Sequence, residues 1–149
     1  MKSTKIMPPT WLLVSMITML ALHFLMPVAW IIPPLWNLIG LVFLISGMAL
    51  NLAADNSFKQ AGTTVKPYQE SSHLVTNGVF QISRNPMYLG MMLILIGIAL
   101  LLRSLSPFLV IIPFAVLIDQ FYIRVEERML AETFGANWQV YKAKARRWL

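Results

Sequence analysis

Two groups of polar residues interrupt an otherwise apolar chain. The first is Ser83-Arg84-Asn85-Pro86-Met87-Tyr88, a basic loop that runs straight into a hydrophobic stretch. Asn85 is a favoured helix N-cap and Pro86 suits the first helical position, so the loop is expected to end at a helix N-terminus. Free backbone N–H groups and a partial positive charge equip such a terminus to hold an anionic group. The second group is Arg124-Val125-Glu126-Glu127-Arg128, with Asp119 and Tyr122 just ahead of it. Charged clusters on both sides of a hydrophobic hairpin suggest a site at a membrane face rather than an anchor alone.

The elements that must position these residues are helices. Four apolar stretches run over residues 11–32, 35–54, 87–102 and 107–122. About 20 helical residues cross about 30 Å of hydrocarbon, so the third stretch is short and the others suffice. Pro33-Pro34 separates the first pair and Arg103–Ser106 the last pair. Ser106-Pro107 repeats the cap-plus-proline start of Asn85-Pro86. Pro27 and Pro113 are expected to bend the helices that contain them. From Pro107 to Glu126 a helix rises about 28 Å, which returns Glu126 to the depth of Asn85, Pro86 and Tyr88. Asp119, Tyr122 and Glu126, spaced by three and four, are expected to share one helix face, with the loop 72–84 above it. The fourth helix outruns the membrane as far as Gly135, an expected C-cap. Asn137 then caps a last amphipathic segment, with Trp138, Tyr141 and Trp148 at the interface. The expected fold is therefore all-α: one integral membrane domain with four transmembrane helices and a C-terminal cytoplasmic or interfacial helix.

Composition narrows the function classes. Of 149 residues, 58% are hydrophobic and only 12% charged, against about 25% charged in soluble domains. Absence of cysteine excludes disulfides, thiolate zinc sites and cysteine nucleophiles. His23 and His73 lie in different segments, so no metal site is expected. The first stretch is too long for the core of a signal peptide and is read as a retained span. The net charge of +6 reflects topology rather than nucleic-acid binding. Arg103 alone among the basic residues falls on the far side, which places both termini and the central loop in the cytoplasm. The basic tail can rest on anionic membrane lipid. The plainer alternatives are a solvated helix end for Arg124–Arg128, an aromatic belt for Tyr88 and Tyr122, a packing role for His23, and close helix packing for Gly40 and Gly47.

Three stretches carry a resemblance: Leu74-Val75-Thr76-Asn77-Gly78-Val79-Phe80, Arg84-Asn85-Pro86-Met87-Tyr88-Leu89-Gly90, and Glu126-Glu127-Arg128-Met129-Leu130 with Phe134-Gly135 and Tyr141. In this order and spacing the chain resembles the superfamily of isoprenylcysteine carboxyl methyltransferases and phospholipid methyltransferases. The first two spans match only in hydrophobic character. The resemblance implies an S-adenosylmethionine-dependent methyltransferase, with the cofactor held by the last two spans, the loop before them and the C-terminal region. It implies cofactor contacts at Asn85, Pro86 and Tyr88, nucleoside contacts at His73, Leu74, Val75 and Phe80, and a polar contact at Glu126. Asn85 stands where the family usually has histidine, as in bacterial relatives, which points to a bacterial inner membrane. The chain is shorter than eukaryotic members.

The residue types agree with that chemistry. Glu126 can pair with the cofactor's ammonium or hydroxyls, and Arg84 or the helix start at Asn85 can receive its carboxylate. Tyr88 or Tyr122 can face the sulfonium. A carboxylate acceptor needs no base, whereas an amine acceptor must lose a proton, for which Glu127 and Asp119 are the candidates. The acceptor is expected to be hydrophobic or lipid-attached. Phospholipid N-methylation and a non-enzymatic transport or assembly role are the alternatives.

Overall fold

The structure is a computed structural model that describes residues 6–63 and 72–149. Lys2, Lys5 and Lys66, which bear on orientation, lie outside the described residues. The described residues are helical, with no strand beyond isolated bridges. Helix α1 spans Pro8–Leu25, α2 Ile39–Gln60, α3 Pro86–Leu102, α4 Phe108–Ile118 and α5 Arg124–Lys144. A 3-10 turn, Trp36–Leu38, leads into α2. A π-helical turn, Asp119–Ile123, joins α4 to α5 without a break.

Among the described residues, three helices are long and apolar enough to cross a membrane: Pro8–Leu25, Trp36–Gln60 and Phe108–Lys144. Helix α3 is a shorter apolar helix. From Phe108 to Gly135 the helix rises about 40 Å at 1.5 Å per residue, more than about 30 Å of hydrocarbon. The apolar part ends near Ile123, and Arg124–Lys144 opens on a charged first turn.

Several boundaries differ from the sequence expectation. Helix α1 stops at Leu25, so Pro27 lies in the connection and bends no helix. Proline disfavours helical geometry in the residue before it, and Met26 takes φ −146° and ψ 69°. Pro107, not Ser106, holds the N-cap position of α4, and the Ser106 hydroxyl donates instead to the Leu22 carbonyl. Gly135 leaves helical geometry, with φ 47° and ψ −116°, and divides α5 into two helical segments, as expected of a glycine at a helix end; the second segment takes in Asn137 rather than starting after it. Trp138 and Tyr141 are buried rather than interfacial. They pack with Ala54, Val75, Phe80 and Ala145 because α5 folds back over the loop 74–81.

Two kinds of packing hold these helices. Along the α2–α3 seam, backbones touch. A Cβ at Gly40 would lie 2.5 Å from the Gly97 carbonyl, and one at Gly47 would lie 2.5 Å from the Gly90 carbonyl. Small residues permit this approach, which is what drives helix association where lipid removes the hydrophobic incentive. The core between α1, α3, α4 and the π turn is built from larger side chains, among them Met19, Leu95, Phe114 and Ile118.

Candidate functional site

The loop reaches the site through Gly78, whose φ of 59° opens the 3-10 turn Gly78–Gln81. That turn buries Phe80 edge-on against Phe58, with ring centroids 5.0 Å apart. The Tyr141 hydroxyl donates to the Phe80 carbonyl at 2.7 Å and ties the loop to α5. Burial pushes the Tyr141 phenol up to about 12, against the opposing charge of Arg84.

Asn85 sits at the N-cap position of α3, and Pro86 opens the helix, as the sequence indicates. The side chain of Asn85 does not cap the helix. Its Nδ2 donates to the Arg147 carbonyl at 2.9 Å, while the Ser83 hydroxyl donates to the same carbonyl at 3.3 Å. The Arg84 N–H donates to the Arg146 carbonyl at 2.9 Å. The C-terminal residues are thus laid along the loop, and α3 begins under them.

On one side of this junction lies an ion network. Arg84 contacts Glu127 at 2.8 Å and donates to the Ala145 and Lys142 carbonyls at 2.7 and 3.1 Å, so it also caps the carbonyl end of α5. Arg147 reaches the other Glu127 oxygen at 2.6 Å and Asp119 at 3.3 Å. Arg124 pairs with Asp119 at 2.8 Å. Burial alone would raise Glu127, but hydrogen bonds and charges from Arg147 and Arg84 outweigh it and hold the carboxyl below its ordinary range. The hydrogen bond to Glu127 in turn holds the Arg147 guanidinium above its usual value. Of the candidate catalytic residues, Arg84, Glu127 and Asp119 are therefore brought together, each already paired.

On the other side lies a cavity of about 180 Å³. Arg84, Asn85, Tyr88 and Glu126 line its polar part; Phe58, Phe80, Pro86, Met87 and Met91 form apolar wall, and Met7, Pro8 and Pro9 complete it. The Tyr88 hydroxyl donates to Glu126 Oε1 at 2.6 Å. The acidic end of the last apolar helix and the Asn-Pro start of α3 thus meet. No ion pair among the described residues includes Glu126. Burial raises its carboxyl to about 7, with the Tyr88 bond partly opposing.

The shared face of Asp119, Tyr122 and Glu126 is not observed. The π turn between Asp119 and Ile123 carries i→i+5 bonds and shifts the helical phase. Asp119 lines a separate groove with Leu89, Ala115 and Trp148, while Glu126 faces the cavity. Tyr122 is buried, 6.3 Å from Tyr88 between ring centroids. The residues expected at the nucleoside end are also divided. Phe80 lines the cavity, and Val75 is packed into the cluster around Trp138. Leu74 lines a second cavity of about 730 Å³ with Thr76, Gln81, Asn137, Tyr141 and Lys144. His73 is exposed, its Nδ1 3.2 Å from the Ser72 hydroxyl. No cluster of metal-ligating side chains occurs among the described residues.

Sequence reasoning missed Phe58, Met91, Met7–Pro9 and Arg147. The first three carry no polar signal. Arg147 was legible only as one charge of a basic tail.

The model of the phospholipid methyltransferase family matches residues 35–137, a segment that contains Tyr88, Glu126 and Glu127. The chain belongs to that family. A protein-S-isoprenylcysteine O-methyltransferase of Saccharomyces cerevisiae is 44% identical over 84 residues, which is 54% of this chain and 34% of that enzyme. An uncharacterized protein of Haemophilus influenzae is 43% identical over 63 residues, 42% of this chain and 100% of that protein. The eukaryotic intramembrane Ras methyltransferase ICMT has the same fold: TM-score 0.66 over 95% of this chain and 51% of that one, at 23% identity. The chain thus matches about a third of the yeast enzyme and about half of the solved structure. Family and fold together make this a member of the integral membrane methyltransferase superfamily.

Proposed function

We propose that this member of the family uses S-adenosylmethionine to methylate a hydrophobic or lipid-attached acceptor. The observation that carries the reading is the Glu126 carboxylate, held by Tyr88 at 2.6 Å in a cavity with apolar walls and with no cationic side chain paired to it among the described residues. A buried carboxylate is costly unless it finds a cation, so the cavity selects a cationic guest. S-adenosylmethionine, when bound, supplies a methyl group on a sulfonium cation.

The donor set fits the cofactor in kind. Glu126 would pair with positive charge, Tyr88 would orient Glu126 and offer its ring to a cation, and Asn85, Pro86 and Arg84 would supply a positive helix start for a carboxylate. Drug-sized ligands fill about 300–1,000 Å³, so about 180 Å³ suits one arm of the cofactor. The 730 Å³ cavity beside Leu74 and Tyr141 offers room for a nucleoside. Phe58, Phe80, Met87 and Met91 would keep water from the reacting groups.

The state of Glu127 bears on the acceptor. A carboxyl held low by two arginines is a weak proton acceptor, which favours an acceptor that needs no base, such as a carboxylate. The second reading, methylation of a phospholipid amine, draws on the matching family and on Glu126, whose value near 7 suits a base. In both readings the protein is taken to cross a bacterial inner membrane four times with its termini in the cytoplasm. Eleven of twelve basic residues on one side support that orientation.

Isothermal titration of the purified protein with S-adenosylmethionine, in detergent and in lipid, tests the reading. Absence of binding by folded protein would leave the non-enzymatic transport or assembly role. Transfer of labelled methyl into a total membrane extract then identifies the product. Label in phosphatidylethanolamine derivatives favours the amine route; base-labile label favours a carboxyl ester.

A further inference from the structure

Helix α1 joins the bundle through side chains rather than through backbone contact. Pro8, Ser15 and Met19 are its buried residues, whereas α2 and α3 meet backbone to backbone at their glycines. Yet the start of α1 forms one wall of the Glu126 cavity through Met7, Pro8 and Pro9. The hydroxyl of one side chain ties that wall to the last apolar helix. The Tyr122 hydroxyl donates to the Ile6 carbonyl, and it accepts a hydrogen bond from Trp11 Nε1 at 3.0 Å. One buried hydroxyl therefore grips the chain on both sides of the Pro8-Pro9 pair. Proline fixes φ, so the segment between the two bonds moves as a block. Its outer side is open: Ile6 is 48% and Met7 42% exposed.

We propose that Tyr122 is a positioning residue that latches the first turn of α1 against the cavity, and that release of this latch admits molecules to Tyr88 and Glu126. The role of the cavity rests on the proposed function; the latch does not. Segments with few buried contacts open at low free-energy cost. Here the opening is governed by two hydrogen bonds to one oxygen, at the π turn that places Tyr122 beside Tyr88.

The chain contains no cysteine, so a single introduced thiol reports local access. Met91 lines the cavity and is 5% exposed; Ala99, on the same helix about two turns on, is fully buried away from it. In lipid nanodiscs, N-ethylmaleimide is expected to alkylate Met91→Cys slowly. Adding Tyr122→Phe, which keeps the ring and removes the hydroxyl, is expected to raise that rate about tenfold, as two hydrogen bonds are lost. Trp11→Phe removes one donor and is expected to raise it about threefold. If Tyr122→Phe fails to fold, Trp11→Phe carries the same expectation at its smaller size. Neither substitution should alter alkylation of Ala99→Cys. An equal rise at both thiols means general loosening and overturns the latch, as does no rise at either. A wild-type protein that fails to bind S-adenosylmethionine, with the alkylation pattern as expected, would remove the proposed function and leave the latch standing.

Discussion

Glu126 and Glu127 are neighbours in sequence on one helical turn and live in opposite surroundings. Glu127 lies between Arg84 and Arg147, with contacts at 2.8 and 2.6 Å, and is held in its charged form. Glu126 turns to the cavity, where it meets the Tyr88 hydroxyl and apolar walls, and its proton is held to about pH 7. The helix rotates by about 100° between them, enough to place one carboxylate in the ion network and the other in the cavity. The difference teaches that the acidic pair is two devices. Glu127 fastens the C-terminal residues to the start of α3, and Glu126 is the carboxylate that the proposed function assigns to a guest.

The sharpest way to break this comparison is to truncate the fastening member. The Arg84 and Glu127 side chains are 8% and 11% exposed, so Glu127→Ala strands buried charge. Unfolding in denaturant should show a loss of about 3 kcal/mol, the range for breaking a buried pair. A loss near zero would mean that the network only decorates the junction. Glu126→Gln should behave in the opposite way. It should raise stability at neutral pH, because it removes the cost of ionising a buried carboxyl, while weakening S-adenosylmethionine about tenfold, or about 1.4 kcal/mol, by titration calorimetry. Equal effects of the two substitutions on affinity would erase the distinction.

The pH dependence sharpens the comparison further. A carboxyl raised in the folded state adds stability below its unfolded value near 4.5, and that contribution is lost as pH rises through about 7. A cationic guest prefers the ionised form, so affinity should rise from pH 6 to pH 8 with proton release, measurable in buffers of different ionisation enthalpy. Glu126→Gln should flatten that slope. Glu127, depressed instead, contributes stability above its unfolded value that is lost as pH falls through the lower folded one. It should therefore leave no trace between pH 6 and pH 8. The smallest effect is expected from Asp119→Asn, whose partners Arg124 and Arg147 are 61% and 37% exposed. Exposed pairs contribute about 0–1 kcal/mol, so this variant should change denaturation little and cofactor affinity not at all.

Much of this molecule was legible in its residue order. Apolar run length announced the helices, Asn85-Pro86 marked the start of α3, and rise per residue brought Glu126 level with Tyr88, where the 2.6 Å bond now joins them. These follow from local rules, since helix geometry converts spacing into distance wherever the helix stays regular. What local rules missed came from irregularity and from long-range partners. The π turn at Asp119–Ile123 shifted the phase and separated Asp119 from Glu126. Trp138 and Tyr141 went into a core with Val75 and Phe80, not to an interface, because α5 folds back over that loop. Asn85 gave its side chain to the Arg147 carbonyl, 62 residues away, instead of to its own helix. Sequence alone determined which residues would reach one depth; only the tertiary structure decided which of two adjacent carboxylates would find arginines and which would be left to the cavity, because that choice depends on helix phase and on the course of the distant tail.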